Sequence, residues 1–294
     1  MKIAASTTFS RLPHLGVLAI DGADALTFLQ GQATCDCRQL SATRGALGAL
    51  CNLQGRMIVS FYVLAVADGL QLVMPRDRIA AILTHLKKYA VFSRVTLRDE
   101  CESLIVLGMP AADAAFTAEP FTITAQDDIF CLQLRAQRVL GLAPVARFAS
   151  AIDGSDAWRA AAIAAGELLI DTANADRLLP QALNYDVIDG VSFNKGCYTG
   201  QEIVARMHFK GKMKERLRIA SANVAAAPGA NTAIVNADDK PVGEVIDAVV
   251  SERHCTLAAV IRHDAARTGN LHLGDAQGAP IVLHAMPYLL PDAG

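Results

Sequence analysis

Beyond residue 215 the chain holds only short strand-like stretches: Leu217 to Ala220, Thr232 to Val235, Gly243 to Val250, Thr256 to Ile261 and Ile281 to Leu283. Gly, Pro, Asn and Asp separate them. Such strands bury their apolar faces only by pairing with close neighbours, and the turn residues let them do so. With no helical period in sight, about 80 residues of this texture describe a small all-β barrel or sandwich.

The chain before that point is patterned differently. Leu15 to Ile20 is a short apolar run, Asp21-Gly22 turns it, and Ala25, Leu26 and Leu29 give Ala23 to Gln30 a helical spacing. Gly45 to Asn52 and Met57 to Ala67 are expected strands around the Leu53-Gln54-Gly55 turn. The second carries I-V-S-F-Y-V-L-A-V, rich in β-formers. Asp68-Gly69 is a hairpin turn with Leu70 to Met74 returning. Arg78 to Tyr89 is an expected helix, with Ile79, Ile82, Leu83 and Leu86 on one face. Val91 to Leu97 and Ser103 to Leu107 are expected strands. Asp156 to Ala165 is an expected helix capped by Gly166, and a loop from Asp171 to Asn184 follows. Hairpins mixed with helices mark an α+β class, not a doubly wound parallel sheet.

At 294 residues, 52% hydrophobic and 19% charged, the chain is globular and long enough for two or three domains. A net charge of −2 gives no global pull toward nucleic acid or an anionic membrane, so attraction to phosphates must come from a local patch. The seven cysteines follow no disulfide framework, which suits a reducing compartment, and no C-x-x-C pair is present. The seven histidines show no metal-ligand spacing. The N-terminus lacks the apolar core of a leader, and no run approaches the ~20 residues of a membrane span. A soluble cytoplasmic protein is expected.

Positions 194 to 206 read N-K-G-C-Y-T-G-Q-E-I-V-A-R. Thr199 and Glu202 have the capping-box spacing, with Ile203, Val204 and Met207 as the apolar face of a following helix. Cys197 would then lie at the helix's positive end with Lys195 nearby, and both favour a thiolate. Gly196 and Gly200 would let the backbone bend and a ligand approach. The local alternative is a small buried cysteine in a glycine-rich turn.

The octapeptide K-G-C-Y-T-G-Q-E, with Phe193 before it and V-A-R after it, closely resembles the signature of the YgfZ family. These are folate-binding proteins related to the glycine-cleavage T-protein, an aminomethyltransferase. F-L-Q-G-Q-A-T-C-D (28–36), L-K-K-Y-A-V-F-S-R-V-T (86–96) and Pro180-Gln181-Ala182 also resemble family stretches. The resemblance implies a folate-binding α+β region of two ferredoxin-like lobes over residues 1–211. It implies a β-barrel over 212–294, the three packing around a central folate site. It further implies a tetrahydrofolate-binding accessory protein that supports iron–sulfur enzymes, among them enzymes that modify transfer RNA, with any cluster held only transiently. Cys197 and Lys195 are the candidate reactive residues. Trp158, Tyr198, Gln201, Glu202, Gly196 and Asp36 are the candidate folate contacts.

Two departures from the relatives stand out. T-proteins carry acidic residues in the strand after the G-x-I turn, where this chain has Val59 and Ser60. Neither takes up a proton as a carboxylate does, so T-protein-type aminomethyl transfer is not expected. Relatives often close the Trp158 helix with E-A-G, where this chain has Ala164-Ala165-Gly166, so a folate contact is expected to be lost. Trp158, the single tryptophan, is either a stacking platform for a pterin or a core residue. From Arg206 to Arg218 basic residues alternate (Arg206, His208, Lys210, Lys212, Lys214, Arg216, Arg218), which in an extended segment would share one face. That face would meet RNA, phosphate or a polyglutamate tail, or be a solvated linker. A one-carbon transferase and an RNA-binding module are the alternatives to the accessory protein.

Overall fold

The computed structural model describes residues 9–109, 118–126 and 128–291. Residues 1–8, where most of the leader reading falls, lie outside the described residues. A short strand Ser10–Arg11 (β1) precedes Leu15–Asp21 (β2) and the helix Ala25–Gln30 (α1). Ala46–Cys51 (β3), Met57–Val66 (β4) and Gly69–Pro75 (β5) follow as a meander, then the helix Ile79–Lys87 (α2) and Thr96–Asp99 (β6). These strands form an antiparallel sheet in the order β3-β4-β5-β2-β6. The pleat of β4 sorts its residues. Val59, Phe61 and Val63 bury against Phe28 and Leu29 of α1 and Ile82 and Leu86 of α2, while Tyr62 and Leu64 join a separate cluster on the opposite face.

Leu104–Met109 (β7), Ile123–Gln126 (β8), Ile129–Gln133 (β9) and Val139–Pro144 (β10) pair with β1 in a second antiparallel sheet, β1-β7-β10-β9-β8. Two helices, Ser155–Ala164 (α3) and Gln201–Phe209 (α4), bracket the loops that lead to the C-terminal strands. Those are Glu215–Asn223 (β11), Ala233–Val235 (β12), Pro241–Ser251 (β13), His254–Arg262 (β14), Leu271–Leu273 (β15) and Pro280–His284 (β16). They close into a barrel, because β11 pairs with both β14 and β16. One apolar cluster runs through all three bodies: Val17 and Tyr62 from the first sheet, Leu132 and Leu140 from the second, Trp158 from α3, and Leu217, Ile246 and Val260 from the barrel. The sheets therefore face a shared centre.

Two expectations are corrected. Residues 90–92 form a 3₁₀ turn, and the strand begins only at Thr96. Val91 is 71% and Phe92 99% exposed, so nothing pairs or covers this segment before it reaches β2. A helix that no periodicity signalled, His263–Thr268 (α5), interrupts the barrel; at six residues it buries only His263 and Ala265. Among the described residues no helix is long and apolar enough to cross a membrane.

Candidate functional site

A cavity of about 600 Å³ opens where the three bodies meet. Trp158 reaches it from α3, Tyr62 from β4 and Arg138 from the residue before β10. Glu167 reaches it through the way α3 ends. Gly166 takes φ +61°, its N–H bonds the Ile163 carbonyl, and Glu167 N–H bonds the Ala162 carbonyl. This is a Schellman termination, and it turns the chain back so that Glu167 is inside. Arg138 Nη2 donates to Glu167 Oε1 at 2.5 Å, and Tyr62 Oη donates to the same oxygen at 2.7 Å. Burial, then Glu167, push the Tyr62 hydroxyl well above its ordinary range, so it remains a donor. The Arg138 guanidinium carbon stands 5.3 Å from the Trp158 ring centroid. Arg138 and Glu167 are each 1% exposed, yet among the described residues Arg138 Nε and Nη1 and Glu167 Oε2 have no hydrogen-bond partner. Such orphaned atoms cost free energy and call for a ligand or water. Elsewhere in the cavity lining, Arg159 holds Asp247 and the Ala248 carbonyl, and His14 Nδ1 pairs with Ser155 Oγ at 2.9 Å. Asp171 also lines the cavity, its carboxyl pushed up by burial.

The 194–202 motif lies elsewhere; none of its residues lines that cavity. Lys195 is buried, and its ammonium donates to the carbonyls of Gln30 (2.7 Å), Ala33 (2.5 Å) and Cys35 (2.9 Å). All three of its N–H donors are therefore spent on backbone carbonyls and none on Cys197. Tyr198 is buried beside that ammonium, 5.1 Å from ring centroid to Nζ, and does not line the central cavity. Asp36 caps the 3₁₀ turn Cys37–Gln39 and accepts from Arg38 and Gln30. Arg38 holds its carboxyl at about 2.

The helix starts one residue later than the capping-box spacing predicts. Gly200, not Thr199, is the N-cap, at φ +82° and without a side-chain cap bond. Gln201 Oε1 instead accepts from Tyr198 N–H at 3.2 Å, half of a capping box displaced by one residue. Gly200 is obligatory: a Cβ there would stand 2.4 Å from the Asn52 carbonyl oxygen. Gly196 is not, because a Cβ would meet nothing within 4 Å. Cys197 is exposed, as are Gly196 and Glu202, and Gln201 is half-buried.

No protein-family model matches the chain. The tRNA-modifying protein YgfZ of Sodalis glossinidius (strain morsitans) is 31% identical, over 96% of this chain and 93% of that one. The chain belongs to the YgfZ family. The tRNA-modifying protein YgfZ of Yersinia pseudotuberculosis (serotype IB, strain PB1/+) is 29% identical over 97% and 93% of the two chains. The glycine cleavage system aminomethyltransferase T from Bartonella henselae superposes with a TM-score of 0.74 at 13% identity, over 96% of this chain and 86% of that one. The T-protein-like α+β fold with its C-terminal barrel is thus shared between YgfZ proteins and an aminomethyltransferase.

The departures from the relatives acquire a physical meaning. In this YgfZ-family chain Val59 is buried under α1 and α2, and Ser60 Oγ accepts from Ile170 N–H at 2.8 Å. Ala164 is exposed and outside the cavity. The carboxylate at this end of the cavity comes instead from Glu167, three residues on. The basic residues 206–218 do not share one face. Arg206 and His208 ride on α4, and Arg216 is buried against Asp186 at 2.8 Å, which leaves Lys210, Lys212 and Lys214 exposed. Among the described residues no group of three or more His, Cys, Asp or Glu converges to hold a metal. Tyr62, Arg138 and Glu167 were missed from sequence. One signal for Glu167 was available: a single charge inside G-E-L-L-I, just past a helix cap, is a carboxylate carried inward.

Proposed function

We propose that this chain binds tetrahydrofolate in the central cavity and supports iron–sulfur enzymes that modify transfer RNA, with the exposed Cys197 as its reactive group. The observation that carries the folate reading is the buried, half-satisfied Arg138–Glu167 pair beneath Trp158. A reduced pterin presents amide and amino donors beside a carbonyl acceptor on one edge, and a planar ring above and below. Glu167 Oε2 is a free acceptor, Arg138 Nε and Nη1 are free donors, and Trp158 offers an aromatic face. The cavity volume lies within the roughly 300–1,000 Å³ usual for small-molecule sites. The chemistry of client enzymes is theirs; this chain orients the folate and presents a thiol. The names of the relatives carry the transfer-RNA part.

Titrating the protein with tetrahydrofolate while following Trp158 fluorescence tests the first part. A saturable change is expected, and Glu167→Gln should weaken it about tenfold or more, the worth of one charged hydrogen bond. Absence of both a fluorescence change and binding heat would remove folate from the account. The second part is tested by Cys197→Ser. An exposed serine should alter stability by less than about 0.5 kcal/mol. Complementation of a strain lacking the native protein should nevertheless be lost, and full complementation would exclude a thiol function.

A further inference from the structure

The first barrel strand carries more positive charge than its surroundings neutralise. Arg216 and Arg218 have the parity of Ala220 and Ala222 on β11, which belong to the barrel's interior cluster. They therefore stand at the barrel's mouth, where α5 brings His263 and Arg267. Arg216 is fully engaged, with Asp186 at 2.8 Å to both nitrogens, the Gln181 carbonyl at 3.0 Å and Asn184 Oδ1 at 3.2 Å. Arg218 is not. Its hydrogen-bond partner is the His263 ring at 3.2 Å, and its buried Nε has none. Burial, then Arg216 and Arg267, hold its guanidinium below the ordinary arginine range. Asp264, the carboxylate of α5's first turn, is taken by Arg262. Arg218 is thus a half-buried cation without an anionic partner among the described residues.

The segment leading into this mouth repeats the theme. Lys210, Lys212 and Lys214 are exposed and form no ion pair among the described residues. Lys212 lines a second cavity of about 410 Å³ together with His208, Arg216 and His263. One of its lining residues, His208, stacks on Phe193 at 3.7 Å and 14°, and the neighbouring Phe209 is 69% exposed, edge-on to Phe193 at 6.0 Å.

Cations spaced along Lys210 to Arg218 reach roughly 25 Å if extended, far longer than one phosphate. Three exposed lysines, unpaired among the described residues and followed past the engaged Arg216 by Arg218, stand beside an exposed aromatic and suit a nucleic-acid strand, with phosphates along the lysines and a base on the ring. We propose that the strip from Phe209 to Arg218, with Arg267 at its end, is an RNA-docking surface that lays a strand of transfer RNA from the C-terminal end of α4, the helix whose start adjoins Cys197, toward the barrel. Nine helical residues separate the two by about 13 Å. The proposal rests on the transfer-RNA part of the function above and adds that this chain touches the RNA itself.

The test is fluorescence anisotropy of a labelled transfer-RNA transcript between about 50 and 200 mM salt. Binding should weaken with salt, with a log–log slope of about −3 to −4 for four or five phosphate contacts. Changing Lys210, Lys212 and Lys214 together to alanine should cost about tenfold or more at low salt and reduce the slope by about two to three. These side chains are exposed, so the variant should fold, and its tetrahydrofolate titration should be unchanged. Arg218→Gln should weaken binding further in the same assay. No retention of the transcript at low salt overturns the proposal, as does a triple variant with unchanged affinity and slope. Direct binding of inorganic phosphate or oligoglutamate, lost in the triple variant, without transcript binding assigns the strip to a small anion and also overturns it. Each of these outcomes leaves the folate and Cys197 tests standing, so the two failures are distinguishable.

Discussion

Replacing Arg138 with leucine is expected to destabilise the protein by about 3–5 kcal/mol, the usual effect of stranding one member of a buried ion pair. Arg138 and Glu167 are each 1% exposed and 2.5 Å apart. Without the guanidinium, Glu167 keeps the Tyr62 hydroxyl at 2.7 Å, and Arg135 Nε, 3.8 Å from Oε2, is too distant for a hydrogen bond. One neutral donor does not compensate a buried carboxylate. Changing Glu167 to leucine in the same molecule should recover at least about 2 kcal/mol, because the charge left unpaired is then gone. Urea denaturation of the two single variants and the double variant measures this coupling. The double variant should nevertheless fail to bind tetrahydrofolate, which separates the pair's cost to the fold from its value to a ligand. A single Arg138→Leu variant within about 1 kcal/mol of the parent would mean that water reaches the pair.

The difference between what could be read from sequence and what could not follows the distance between interacting residues. The β4–β5 hairpin was legible because its two strands are joined by Asp68-Gly69 and the first is a run of β-forming residues. Five of the six barrel strands were legible because each is bounded by recognisable turns, whereas the three-residue strand Leu271–Leu273 is too short to show a pattern of its own. The cavity was not, since Tyr62, Arg138 and Glu167 come from segments 105 and 29 residues apart that share no period. The basic alternation misled for a related reason. Residue type repeats along 206–218, but a helix, a connector and a strand divide it, and Asp186, 30 residues upstream, claims Arg216. The octapeptide was legible as a family mark, yet its internal physics was not. Gly200 is fixed by the turn at Asn52, and nothing local announces that contact.

Lys195→Met is expected to lower stability by about 2–4 kcal/mol, even though lysine is ordinarily a surface residue. The ammonium lies 2.5–2.9 Å from the carbonyls of Gln30, Ala33 and Cys35, which are 160–165 residues away in sequence. It thereby ties the motif to the turn between α1 and the 3₁₀ segment. Burial holds its pKa below the ordinary lysine range, so the three carbonyls are what keep the charge tolerable there. Methionine fills the stem's volume and removes the charge, but it leaves the carbonyls without those donors. Arginine should not rescue, because a planar fork cannot converge on three oxygens around one point. Loosening this anchor should also make residues 194–200 more sensitive to protease, since the next residues have little else holding them: Gly196 and Cys197 are exposed. The contrast with Cys197→Ser carries the argument. Thermal melts should separate the two, with the lysine variant unstable and the cysteine variant not. If Lys195→Met instead melts with the parent and still fails to complement, its ammonium acts in chemistry, and the three carbonyl contacts are incidental to the fold.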